Sequence, residues 1–582
     1  MKKKQKQEEY VPAWYHREPP PRSYRSIFKW GYPDEFKHPN QRLYALMKET
    51  FHLSDEHFKE KQEVGEEEVS FDVPVKLSAE QLAYLSSVVG EENLLTDDYH
   101  RLRVAYGKMI YDLMRLRKQI AENLPDAVLC PRNKEEVREI LRYCHEEQIP
   151  VIPFGGGSGV MRGNEAPRGG VTLDLAQHMT HILEVNDVDQ TVTVEPGIMG
   201  PDLEEALNDA ARRFKTPYNY TCGHLPQSFH SATVGGWVVT RGAGQNSTYY
   251  GKIEHLVVCQ EYVTPTGELE TKKYPASATG PMLDYLLIGS EGSYGVLVEV
   301  TLKIFRHRPE NTRRFSFVFP SWQQGLRAAR EVSQGEFGLP SVFRLSDPEE
   351  TEVGMRLYGV QGTVLDRLLQ LRGYQPGERC LLLGTADGEK GYARRVQKMV
   401  HRIAKKHGAM STTGYVAKRW ERGRFHDPYM REDLQDYGII IDTLECAVNW
   451  SDLERVWREV REFCKSRPRT VCMSHASHFY PQGTNLYFIF IAQMDMEEYI
   501  QYQSGVVDRI YQAGAALSHH HGIGRMLAPW YEDFMGGNEM ELLRAVKRHL
   551  DPHSIMNPGG NLALDFTGKK RHFFGLDSSP EE

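Results

Sequence analysis

The run Ser518–His519–His520–His521–Gly522–Ile523–Gly524 sets three imidazoles side by side among small residues. Consecutive side chains diverge on a helix or a strand, so the three rings read as a turn that aims them at several parts of one site. Imidazole titrates near neutrality, which suits acid–base work, phosphate binding or metal ligation. A second segment, Ser477–His478–Phe479–Tyr480, leads into the apolar run Asn485–Gln493. Its phenol, with an ordinary pKa of about 10, would transfer a proton if a neighbouring cation lowered that value. Arg344 in SVFRLSD and Arg431 in YMREDL read as ordinary surface residues by pattern alone.

Three glycine-rich loops complete the chemistry-bearing set. Pro153, Phe154, Gly155, Gly156, Gly157, Ser158 and Gly159 follow an apolar run, and successive glycines expose backbone N–H groups as a nest for a pyrophosphate. The spacing is neither GxGxxG nor a Walker loop. In Gln227–Gly244, Ser228, Ser231 and Thr233 precede Gly235 and Gly236, with Thr240, Arg241 and Gly242 behind them. Backbone there can approach a planar ligand while hydroxyls meet phosphates. Gly289–Gly295, containing Glu291, Gly292 and Ser293, runs into a strand that begins at Val296. Each loop alone passes for a tight turn; three within one domain carry more weight.

The elements around these loops read as α+β. Residues 1–40 look like an extended arm whose Lys2–Lys4 cluster reads as a solvated tail, and 41–124 as helical, with a Ser78/Gln81 capping box and a helix over Tyr106–Gln119. From 125 the rhythm is strand–helix–strand. Asn133 caps a helix whose Val137, Ile140, Leu141 and Cys144 share one face. A second block from about 309 predicts an antiparallel sheet covered by helices, with a helix capped by Ser451 and Glu454. The expected units are 1–124, 125–308, 309–510, and a segment 511–582 returning to the second unit; the tail after about 566 reads as disordered. Across 582 residues, 71 Lys+Arg against 79 Asp+Glu give a net charge of −8, which argues against nucleic-acid binding. No apolar run reaches membrane-spanning length and no secretory signal is visible. Eight cysteines without a CxxC pair predict free thiols and no zinc ribbon.

PDAVLCPRNKEEV, IPVIPFGGGSG, TVGGW and GSEGSYG together resemble the PCMH-type FAD-binding domain of the vanillyl-alcohol-oxidase type of flavoproteins, in which a second domain caps the flavin. Within that group GHLPQSFHSATVGGWVVTR, SVFRLSD, YMREDL, SHFY and LSHHHGIG are most similar to the alkyldihydroxyacetonephosphate synthases (alkylglycerone-phosphate synthases), over about residues 30–562. That resemblance implies FAD held by the three loops, and exchange of the acyl chain of acyl-dihydroxyacetone phosphate for a fatty alcohol in ether-lipid synthesis. It implies a flavin N5 adduct without net redox. Tyr480 then matches the acid/base residue, Arg344 an arginine needed for activity, Arg431 a phosphate ligand, and His519, His520 and His521 the triple-histidine segment. A cytoplasmic homodimer with peripheral membrane contact, through the arm or a helix of 41–124, is expected, with no metal. Gln227 departs from the acidic residue usual there, and Pro481–Asn485 departs from the usual short loop. One rival is an FAD-linked 2-hydroxyacid (D-lactate or glycolate type) dehydrogenase; there Tyr487 and His520 stand in place of a metal-binding histidine and glutamate. The other is a non-catalytic flavin-fold protein.

Overall fold

The structure is a computed structural model that describes residues 10–565; the Lys2–Lys4 cluster and the tail after 566 lie outside the described residues. In the first lobe, strands Leu94–Leu95, Ala127–Leu129, Val171–Asp174 and Val151–Phe154 form one sheet in that order. The last three run parallel, and Ala127–Leu129 and Val171–Asp174 are buried along their whole length, as a sheet covered on both faces requires. Helix Lys134–Glu146 packs on them through Val137, Ile140, Leu141 and Cys144, and Asn133 accepts the Glu136 N–H at 2.9 Å. A second, antiparallel sheet orders strands Ile182–Asn186, Thr191–Val194, Val296–Lys303, Val257–Thr264 and Gly267–Glu270.

The other lobe is a seven-stranded antiparallel sheet in the order Met410–Ser411, Arg313–Phe319, Cys380–Ala386, Val342–Ser346, Val471–Ser477, Gly483–Gln493 and Ile439–Asn449. Phe315, Phe317 and Phe319 share an apolar core with helices Trp322–Ser333, Lys390–Lys406, Leu453–Ser466 and Met496–Gln512 on one face. Register decides what the opposite face carries. Arg344 lies opposite Ser477, Ser477 opposite Asn485, and Tyr487 opposite both His475 and Glu445. With a side-chain period of two, all six point to one side. The chain's last described stretch returns to the first lobe, where Val151 N–H donates to the Ile555 carbonyl and Asn557 N–H to the Val151 carbonyl, each at 2.8 Å.

Several expectations change. Within the described residues the arm is packed down, with Trp14, Tyr24, Phe28 and Trp30 buried. Two buried guanidiniums, Arg25 and Arg117, converge on Asp436 Oδ1 at 2.9 and 2.6 Å, which ties the arm to the seven-stranded lobe. The Tyr106–Gln119 helix shortens to Ile110–Arg117, because Lys108 N–H is drawn to the Gly159 carbonyl of the first glycine loop. The Ser78/Gln81 box forms. The Ser451/Glu454 box does not: that helix starts one residue later with Asp452 at its cap, and the Ser451 hydroxyl donates to the Asp452 carboxylate instead. All eight cysteines are free, and among the described residues no helix is long and apolar enough to cross a membrane.

Removing one partner from a buried charge cluster strands the others, at about 3–5 kcal/mol. Asp436→Ala is therefore expected to lower stability by about that much in denaturant unfolding, and to open the arm to limited proteolysis. Unchanged stability with a protected arm would contradict this anchoring.

Candidate active site

A cavity of about 1160 Å³ is lined by both lobes, larger than the roughly 300–1,000 Å³ of most small-molecule sites. Its first end is bare backbone: Pro153 through Gly159, with Gln227, Ser228, Thr233, Gly235, Gly236, Thr240, Glu291, Gly292 and Gly295. The two upper loops touch so closely that a Cβ on Gly156 would overlap the Ser231 carbonyl, and Gly157 sits at φ +65°. Only glycine meets both demands. Thr233 caps helix Val234–Val239 through the Gly236 N–H at 3.1 Å. The wall also contains His224, fully buried with neither ring nitrogen hydrogen-bonded among the described residues. An open backbone cradle of this kind fits a large planar ligand with phosphates.

Not every residue named from the loops faces this space. Arg241 points outward and pairs with Glu254 at 3.2 Å. Ser293 is buried away from the cavity, its hydroxyl accepting from Asn561 at 3.1 Å, and Val296 is inside the following strand. Glu291 reaches the cavity wall, yet its carboxylate accepts the Ile523 and Gly524 N–H groups at 2.7 and 2.8 Å, so it fastens the histidine loop to the first lobe. Burial pushes that carboxyl up to about 7. Gln227 holds the 424–425 turn through the Arg424 carbonyl.

The middle of the cavity is built on the seven-stranded sheet. Glu445, buried in strand Ile439–Asn449, accepts four hydrogen bonds from the following loop: Ser518 Oγ at 2.6 Å and the N–H groups of His519, His520 and His521 at 2.7, 3.1 and 3.1 Å. This carboxylate folds the triple histidine into its turn. His519 Nε2 then meets the Tyr480 hydroxyl at 2.7 Å, and His519 Nδ1 meets His520 Nδ1 at 3.0 Å. His478, His520 and His521 line the cavity; Tyr480 and His519 sit just behind them. Glu445, His519 and His520 lie within the 4.8 Å a bound ion would need, but the four donors already engage the carboxylate, and the cluster reads as a hydrogen-bonded hub.

The electrostatics differ from the expectation of a lowered phenol. Burial, with Glu254 and Glu445 nearby, pushes Tyr480 above its ordinary value. His519 and His520 are pushed well below theirs by burial and by neighbouring imidazoles and Lys252. A neutral ring, not a cation, is the phenol's partner. Arg344 pairs with Glu350 at 2.6 Å, and His475 Nδ1 lies 3.1 Å from the same oxygen; that carboxyl is held at about 2, burial being outweighed by Arg344 and His475. Arg431 Nη2 donates to the Lys108 carbonyl at 2.7 Å, and its buried Nε has no partner among the described residues. Glu445, Glu350 and His475 were absent from the sequence reading. The one available signal was an acid inside an apolar strand, as in GIIIDTLECAV, since acids are rarely buried without a task.

Cradle, capping sheet and imidazole cluster define a two-domain FAD-linked flavoprotein. The family described as "FAD binding domain" matches residues 125–272, and "FAD linked oxidases, C-terminal domain" matches 308–560. The chain is 30% identical to an alkyldihydroxyacetonephosphate synthase of Dictyostelium discoideum over 83% of its own length and 81% of the relative's. It is 27% identical to that of Trypanosoma brucei brucei over 82% and 79%. A solved alkyldihydroxyacetonephosphate synthase superposes with a TM-score of 0.76 at 26% identity, covering 92% of this chain and 97% of the other. The chain belongs to the alkyldihydroxyacetonephosphate synthase family and is an FAD-dependent enzyme.

Because a methyl at Gly156 must displace the Ser231 backbone, Gly156→Ala is expected to weaken FAD retention at least about tenfold. The ratio of flavin to protein absorbance after gel filtration checks it, and full retention would contradict the cradle's role.

Proposed function

We propose that this chain exchanges the acyl chain of acyl-dihydroxyacetone phosphate for a fatty alcohol. The observation that carries the reading is the contrast in polarity within one cavity. The same cavity is lined by the glycine cradle, by Arg431, Arg344 and the imidazoles, and by an apolar arm built of Val318, Leu369, Leu381 and Met410. Such an arm suits an alkyl chain. Arg431, with donors to spare, suits the phosphate, and Arg344, aligned by Glu350, suits the departing carboxylate.

Bound FAD supplies a reactive ring nitrogen for the carbon transfer, with no net oxidation. Pro153–Gly159, Gln227–Gly236 and Gly292–Gly295 are the segments that would hold it. The protein's own task is to move a proton from a carbon beside a ketone. Tyr480 stays protonated at neutral pH, so its oxygen takes up the carbon's proton only as its own hydroxyl proton passes to neutral His519 Nε2. The 3.0 Å contact onward to His520 connects that dyad to the cavity wall. Two short links in a dry pocket favour such a relay.

Tyr480→Phe is expected to abolish fatty-acid release while FAD stays bound; near wild-type turnover would refute the phenol's role. His519 is depressed and Tyr480 raised, so neither changes protonation between pH 7 and 9. Neither group therefore gives the rate of fatty-acid release a limb across that range, and the rate should be level apart from the upper part of the Glu291 titration at about 7. A limb centred above pH 8 would contradict the assignment.

Lipid access belongs to the same proposal. Within the described residues the arm buries Trp14, Tyr24, Phe28 and Trp30, and the helix Gln41–Phe51 buries Leu43, Met47 and Phe51. Helix Val364–Leu371 does the opposite: Val364, Leu365, Leu368 and Leu371 are 49–83% exposed, while Leu365 and Leu369 line the cavity's apolar end. Leu368→Glu with Leu371→Glu is expected to abolish sedimentation with phospholipid vesicles, leaving folding intact by circular dichroism. Undiminished vesicle binding would remove this helix from consideration.

A further inference from the structure

Trp30 reaches the cavity wall from the N-terminal arm. Its indole lies beside the Arg431 guanidinium, whose carbon stands 5.7 Å from the ring centroid. On another side Arg431 Nη2 donates to the Lys108 carbonyl at 2.7 Å. Two uncharged groups hold this guanidinium, and neither neutralises it. A cation beside a tryptophan face is attracted by the ring quadrupole, most strongly where water is scarce. The flat face also stacks on the flat guanidinium, which an aliphatic side chain cannot do.

The backbone around the pair is fastened on both sides. Arg431 sits in the short helix Met430–Gln435. Glu432, next in the chain, accepts the Trp30 N–H at 2.6 Å, and the Tyr429 hydroxyl accepts the Tyr32 N–H at 3.0 Å. The arm's turn at 30–32 thus clasps the residues flanking Arg431. Lys108 closes the arrangement. Its ammonium donates to the Ile27 carbonyl and, at 2.8 Å, to the Lys29 carbonyl, both in the arm. Its own carbonyl receives Arg431, and its N–H donates to the Gly159 carbonyl of the first glycine loop at 2.8 Å. One chain of contacts therefore runs from the cofactor cradle through Lys108 to Arg431, and the indole of Trp30 supplies the remaining side.

We propose that Trp30 is a positioning residue for the substrate's phosphate: its indole holds the Arg431 guanidinium in the plane and direction at which the phosphate of acyl-dihydroxyacetone phosphate is received. The inference deepens the proposed function and rests on the reading of Arg431 as the phosphate ligand. It gives the arm a part in substrate binding that its anchoring at Asp436 does not require. A guanidinium free to swing keeps its charge but loses the fork alignment on which two-point phosphate binding depends. The loss falls on substrate affinity and spares the chemical step.

Trp30→Leu keeps an apolar side chain and removes the π face. In the FAD-loaded enzyme the KM for acyl-dihydroxyacetone phosphate is expected to rise about tenfold, with kcat within about twofold and the KM for the fatty alcohol unchanged. Trp30→Phe, which retains a π face, recovers most of that loss. Trp30→Met replaces the leucine variant if circular dichroism and FAD content show that leucine is not tolerated. Arg431→Ala and the double variant complete a cycle: Arg431→Ala raises the same KM further, and adding Trp30→Leu to it changes nothing more. A wild-type KM in Trp30→Leu beside a raised KM in Arg431→Ala would overturn the role of Trp30 and leave that of Arg431 standing. An unchanged KM in Arg431→Ala would overturn both. Equal losses in Trp30→Leu and Trp30→Phe, or additive losses in the double variant, would make the effect one of bulk or of direct contact and overturn the positioning role.

Discussion

One buried carboxylate organises the centre of this molecule. Glu445 lies in the middle of an apolar strand, where an ionised group must find several donors or not be there. The donors it finds are the Ser518 hydroxyl and three consecutive backbone N–H groups. Satisfying them winds residues 518–521 into a turn, and the turn spreads three imidazoles in three directions. His519 goes to the phenol, His520 to the cavity wall beside Asn485, and His521 to the ring of Tyr487. The side chains named for chemistry are thus placed by a residue that contributes none.

Burial supplies the second constraint. In water a phenol and an imidazole differ in pKa by about 3.5 units; in this pocket desolvation drives them further apart, raising one and lowering the other. Both are kept in their neutral forms. A network of neutral donors and acceptors can relay a proton without a charge resting in the low-dielectric interior, whereas a cationic histidine cluster would have to be compensated by nearby carboxylates. Glu350 shows the complementary solution, an ionised group tolerated because Arg344 and His475 face it.

The lobes are joined by polar rather than apolar contacts where the site needs fixed geometry. Glu291 carries the histidine loop onto the cradle lobe, and Asp436 gathers Arg25 and Arg117 so that the N-terminal arm packs against the seven-stranded lobe. Hydrogen-bonded anchors specify direction as well as proximity.

What the sequence determined by itself was local. Helix Lys134–Glu146 and its cap, the Ser78/Gln81 box, the three glycine loops and most strand positions follow from short-range periodicity and turn chemistry, and the motifs they carry sufficed for the flavoprotein family. Tertiary structure decided the rest. Arg241, Ser293 and Val296 belong to the right loops yet point elsewhere, because direction is set by neighbours distant in sequence. Glu445 and Glu350 read as unremarkable acids until the closed fold brought them beside histidines 75 and 125 positions away. His224 is conspicuous only once it is known to be buried without a partner among the described residues. Spacing along a chain encodes which backbone shapes are favourable; which polar groups meet, and which are left unsatisfied, depends on desolvation and contacts that exist only after the chain has closed on itself.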